Sequence, residues 1–203
     1  MIVKSRIKKH ISANQWQYLI ITLLFTIGII VGNYKVPALE GGVRNHLLDL
    51  INGYLLGNNQ VDINGSKLLF LAFLNQAKTF MLIWFLGLTV IGMPLILAIV
   101  LLKGMALGFT VGFLVQEKAG VGVLISLLTI LPQNLIYIPL LIVWSVVGIK
   151  FSIYIAVGRQ VSGISLGRAL LSYSFLLLML LALVAIGAFI EGIFSPWLLR
   201  QFV

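Results

Sequence analysis

KGMALGFTVGFLVQEKAG, residues 103–120, is the stretch on which the fold turns. Gly104, Gly108 and Gly112 recur at every fourth position of an apolar run, so on a helix they line one face. Such a face lets a second helix backbone approach closely, either within the chain or across the seam of a homodimer. Gly28 and Gly32 repeat the spacing in an earlier apolar run. Glu117 and Lys118 then interrupt the sequence. Neighbouring residues on a helix do not face each other, and each charge at mid-membrane costs about 2.5 to 3.5 kcal/mol on insertion scales. The pair therefore predicts a turn, exposed at an interface or bent inside the protein; a proton or ion path is the alternative.

The rest of the chain is equally apolar. Of its 203 residues 61% are hydrophobic and 9% charged, against roughly 25% charged in soluble domains. At about 20 residues per crossing of a ~30 Å hydrocarbon layer, the length accommodates five or six helices. The expected fold is an all-α polytopic membrane protein, a single membrane domain over residues 1–203. The net charge of +9 does not point to nucleic acid, because the basic residues lie singly between apolar runs rather than in a patch. They read as topology signals and anchors to the lipid bilayer. With no cysteine, disulfides, thiolate metal sites and a thiol nucleophile are excluded.

Lys4, Arg6, Lys8 and Lys9 precede the first apolar run, residues 18–36, and predict a cytoplasmic basic tail at 1–16 followed by an uncleaved signal anchor. Residues 37–67 are then an extracytoplasmic loop. Within it Val43, Leu47, Leu50, Ile51, Tyr54 and Leu55 fall at helical spacing, opposite Arg44, Asn45, Asp49 and Asn52. That pattern predicts an amphipathic helix lying on the membrane or against a partner. Arg44, His46, Asp49 and Tyr54 are its candidate docking residues. The next span is expected at 79–102, kinked by Pro94 and returning to the cytoplasm at Lys103. Residues 135–157 and 169–190 form clean spans joined by a loop with Arg159 and Arg168. The segment between Lys103 and Leu135 must then cross an odd number of times. One kinked or discontinuous crossing makes five spans.

LPQN, residues 131–134, followed by Pro139, marks a second interruption. Pro132 breaks the helical ladder, while Gln133 and Asn134 carry amides able to satisfy the freed carbonyls. Such a break lines a cavity, a pore or a packed interface, or is a structural repair. Glu191, before the breaker FSPW, reads as an interfacial anchor with Trp197 and Arg200. His10 and His46 have no second ligand at metal spacing. No catalytic motif of the G-x-S-x-G, H-E-x-x-H or P-loop type occurs. Neither a catalytic residue, a metal nor a cofactor is expected.

GFTVGFLV at 108–115, LPQNLIYIP at 131–139 and IEGIFSP at 190–196, together with WFLGLTVIGMP at 84–94, resemble the stage II sporulation protein M family of endospore-forming bacteria. The resemblance runs over essentially the whole chain. It implies a non-enzymatic multi-pass protein of the mother-cell septal or engulfing membrane, needed for engulfment of the forespore. It also implies partners: two peptidoglycan hydrolases, the stage II sporulation proteins D and P, which such a scaffold would recruit and organise. Permease-like relatives beside transporter ATPases keep a transport role as the alternative.

Overall fold

The computed structural model describes residues 14–55, 65–157 and 165–202, with side chains except at 54, 55 and 199–202. Among them there is no strand. The helices are α1 (Gln15–Tyr34), α2 (Gly41–Leu55), α3 (Gly65–Gly87), α4 (Gly92–Ile125), α5 (Leu131–Val157), α6 (Leu166–Phe189) and α7 (Ser195–Phe202), with π-turns at Ser126–Ile130 and Ile190–Phe194. Four continuous helical runs are long and apolar enough to cross a membrane, and one of them, Gly92–Val157, spans 66 residues. That run does not continue straight. Ala119, at φ 46° and ψ −126°, reverses it, so that Gly122 packs back against Leu114 and Val115. A hairpin with two legs results, and the bundle has five spanning legs.

The count of five stands, but its partition differs from the one expected. The segment 79–102 is not a span, and the polar triplet Asn75, Gln76 and Lys78 lies within α3. The chain reverses earlier, at residues 88–91, where backbone bonds from Leu88 to Phe85 and from Gly92 to Thr89 close a tight turn. Ser152 of α5 donates its hydroxyl to the Thr89 carbonyl at 2.7 Å and seals that turn. Pro94 consequently sits in the first turn of α4, where its missing N–H is one that no helix needs. It makes no mid-span kink. Residues 105–115 and 121–131 belong to the two legs of the hairpin.

Ala119 carries the backbone strain of the reversal. A positive φ with that ψ is a region glycine tolerates and alanine does not, at about 1 to 3 kcal/mol. Ala119→Gly is expected to raise stability by about 1 kcal/mol, read as a higher unfolding midpoint in detergent. A lowered midpoint would show that the turn is not strained.

The core lies between α3, α4, α5 and α6. Trp144 is fully buried, donates its indole N–H to the Phe80 carbonyl at 2.9 Å and stacks on Tyr173 at 4.9 Å between centroids. Phe151 stacks on the same Tyr173 at 4.4 Å. Apart from the Tyr137 hydroxyl, the other buried residues of this cluster are apolar, whereas Leu23, Ile27, Phe85, Leu171 and Leu178 face outward. An apolar exterior around a packed core is what a hydrocarbon solvent selects.

Candidate functional site

The glycine ladder positions everything else. α1 and α4 run parallel, with Phe25 against Gly104, Ile29 against Gly108 and Asn33 against Gly112, while Gly28 and Gly32 meet the backbone of residues 101–105. At Gly28 a Cβ would stand 2.5 Å from the Leu101 carbonyl oxygen. The glycine face is thus consumed inside the chain. Its close approach brings Lys103, on the adjoining face of α4, into the bundle.

Lys103 Nζ donates to Gln76 Oε1 of α3 at 3.5 Å. Together with Asn134 and Tyr137 of α5 these residues border a cavity of about 40 Å³, room for about one water. Glu191, in the second π-turn, faces both the Tyr137 hydroxyl and Lys103. Tyr137 is 4% exposed, yet its hydroxyl and Glu191 Oε2 close no hydrogen bond of ordinary geometry. The arrangement is a half-buried lysine, carboxylate and amide beside a buried phenol, with hydrogen-bonding capacity to spare, able to hold a water or pass a proton. Two sequence readings are corrected here. Lys103 is no cytoplasmic boundary, and Glu191 is no interfacial anchor: the π-turn adds a residue to the helical period and rotates Glu191 inward. Trp197 does remain half exposed, beside Phe194 at 6.0 Å.

Breaking this charge set should cost more than removing it. Glu191→Gln leaves the half-buried ammonium of Lys103 without its facing carboxylate, and about 1 kcal/mol of stability should be lost, the partial exposure screening part of the pair. Adding Lys103→Leu should restore part of it. A double-mutant cycle in detergent with no coupling between the two positions would show that they do not interact.

The LPQN stretch is tied back to the turn before it by two side-chain amides. The wide π-turn at Ser126–Ile130 precedes Pro132. Gln133 Nε2 donates to the Thr129 carbonyl, and Asn134 Nδ2 donates to that of Ile130 at 2.7 Å. Ser195, 2% exposed, donates to Gln133 Oε1 at 3.2 Å and ties the start of α7 to α5. Pro139 lies inside α5 without ending it. Asn134 also contributes to a second, apolar cavity of about 600 Å³ between α1, α4 and α5, walled by Ile30, Val111, Leu127 and Leu135.

At the end of the bundle carrying α2, Glu117 and Lys118 have a different task. Arg44 of α2 pairs with Glu117 at 2.6 Å, the carboxylate side chain being 9% exposed. Lys118 Nζ donates to Asn52 Oδ1 at 2.6 Å, and Ile51 packs on Leu114 and Ile125. Helix α2 is therefore clamped to the hairpin tip, one residue before the reversal at Ala119. Arg44 is thus engaged inside the chain while its side chain stays 44% exposed. His46, Asp49 and Leu50 remain exposed. The Tyr54 side chain, His10, Arg159 and the Arg200 side chain lie outside the described residues. Among the described residues no group of three His, Cys, Asp or Glu side chains could hold a metal ion.

Sequence reasoning missed Gln76, Tyr137, Ser152 and Ser195 as polar contributors. The one available signal was their position within otherwise apolar runs, where an unpaired polar group is costly.

A five-legged helical bundle with a clamped surface helix and a polar interior defines the class: a polytopic α-helical membrane protein. A family model described as SpoIIM, Stage II sporulation protein M, matches residues 21–196. The chain belongs to the stage II sporulation protein M family and is a sporulation-related membrane protein. No curated protein and no solved structure matches it at a significant level.

Proposed function

We propose that this protein is a non-enzymatic scaffold that recruits and organises peptidoglycan hydrolases during forespore engulfment, the stage II sporulation proteins D and P being the expected partners. The observation that carries this reading is the clamp on α2. An amphipathic helix resting only on lipid would need no ion pair to the bundle, whereas a platform for a partner gains affinity from being held rigid beforehand. Its exposed edge, with His46, Asp49 and Leu50, is the surface on offer. The reading places the basic start in the cytoplasm of the mother cell by the positive-inside rule, and α2 on the side of the wall. Asp49→Lys with His46→Glu is expected to lower co-purification of the hydrolases about tenfold while membrane insertion and amount stay normal. Full recovery of both hydrolases with that variant would remove α2 from the scaffold.

A second reading, a permease or channel component working with a partner ATPase, draws support from the polar interior around Lys103 and Glu191. Ionisable residues at that depth accompany ion and proton paths in transporters. Purified protein in vesicles, alone and with co-expressed partners, should then carry a proton or solute flux that Lys103→Leu abolishes. Tight vesicles in every case would eliminate it.

A further inference from the structure

We propose that the outward face of α3 is a docking surface for a transmembrane helix of another protein, one that carries a carboxylate at the depth of Lys78. Leu68, Leu71, Ala72, Asn75 and Lys78 fall on one stripe of α3, at the spacing that shares a helix face. With Glu191 they line a lateral groove of about 380 Å³. Lys78 and Asn75 are exposed on that stripe. Lys78 lies about nine residues, roughly 14 Å, from the end of α3 at Gly87. In a hydrocarbon layer about 30 Å thick that is near the middle.

The charges at this depth do not balance. Lys78 and Lys103 stand against a single carboxylate among the described residues, Glu191, and Glu191 faces Lys103 and Tyr137. Lys78 makes no ion pair among the described residues. Left in lipid, an ammonium group costs about 2.5 to 3.5 kcal/mol. One negative charge is missing, and the occupant supplies it.

Two other occupants fit less well. A second copy of this chain brings two further lysines and one further carboxylate to the same depth, so the shortfall doubles rather than closes. A lipid phosphate lies at the headgroup level, about 15 Å from the bilayer centre, beyond the reach of a lysine side chain. A partner helix meets both requirements. Asn75, exposed one turn from Lys78, adds a hydrogen-bonding group. This inference does not depend on hydrolase recruitment: loss of the hydrolases from the complex would leave it standing.

The test uses the full chain in sporulating cells, with a photo-crosslinking amino acid in place of Leu71, which is 52% exposed, and adducts mapped by mass spectrometry. The expected adduct is a transmembrane segment of another protein containing Asp or Glu. Its yield should fall about tenfold with Lys78→Leu or Lys78→Gln, hold with Lys78→Arg, and recover when Lys78→Glu is combined with a lysine at the partner's acidic position. Adducts to lipid alone, or to a second copy alone, would overturn the proposal. So would a partner adduct indifferent to the charge at position 78. Because Lys78 is exposed and makes no ion pair among the described residues, both neutral variants should keep the parent's unfolding midpoint, and a change in yield then reports docking.

Discussion

Gly108→Leu is expected to separate α1 from α4 and to lower the unfolding midpoint of the purified protein by several degrees. A Cβ at this position would run into the Ile29 carbonyl oxygen and stand 2.6 Å from the Ile29 Cα. Both obstacles are backbone, so no rotamer change relieves the overlap. The helices would have to move apart, giving up contacts along their full shared length. Overpacking ordinarily costs about 1 to 3 kcal/mol, and a clash with backbone belongs at or above the top of that range. Gly32→Leu, which meets Met105 in the same way, should behave alike. Gly41→Leu is the control, with nothing within 4 Å of its added Cβ. Thermal unfolding in detergent, with oligomeric mass measured alongside, decides the matter. Unchanged midpoints for Gly108→Leu and Gly32→Leu would mean that the two helices are not in contact. The displacement also reaches the interior, because Lys103 borders this face, so the Lys103 to Gln76 contact should be lost as well.

The second large effect concerns the clamp. Arg44→Glu places two carboxylates together where Glu117 is nearly buried, and Glu117→Arg opposes two guanidinium groups. Breaking a buried pair costs about 3 to 5 kcal/mol, but Arg44 is 44% exposed and solvent screening reduces the loss. About 1 to 3 kcal/mol is expected for either single reversal. The double reversal should recover most of it. Lys118→Ala removes one charge-assisted hydrogen bond to Asn52, worth about 1.5 to 3 kcal/mol, and should free the C-terminal half of α2. Limited proteolysis on membranes provides the readout, with cleavage inside α2 accelerated in the single reversals and suppressed in the double. Equal cleavage in all forms would show that α2 is not held by this pair. In the scaffold reading, hydrolase recovery should follow the protection of α2 through the same series, since a loosened platform must be ordered again on binding.

The fold class could be read directly because it depends on composition and run length, which are additive along the chain. Helix α2 was equally legible, since Val43, Leu47, Ile51 and their polar opposites repeat at helical period without any tertiary input. The reversal at Ala119 was legible too, as the turn that Glu117 and Lys118 predict, but the one before α4 was not. LTVI at residues 88–91 contains no charge and no proline, so only the flanking Gly87 and Gly92 hint at a turn; it is closed by Ser152, more than sixty residues away. Pro94 and Lys103 then misled, each placed by the rule that proline kinks a span and lysine ends one. Both rules assume that the surroundings are lipid. Inside a bundle a lysine is tolerated when a glutamine and a carboxylate face it, and a proline is harmless in a first turn.

The sequence by itself determined an all-helical membrane protein, five legs, an amphipathic surface helix and a glycine face built for close contact. Those properties follow from the free energy of placing each segment in hydrocarbon or at its edge, and every segment settles that largely alone. Tertiary structure decided which helix fills the glycine face, that Glu117 and Lys118 hold α2 rather than line a path, and that Glu191 turns inward toward Lys103 and Tyr137. These are pairings between residues distant in the chain, selected by the cost of leaving a charge or an amide unmatched inside the bundle, and that cost exists only once the helices have packed.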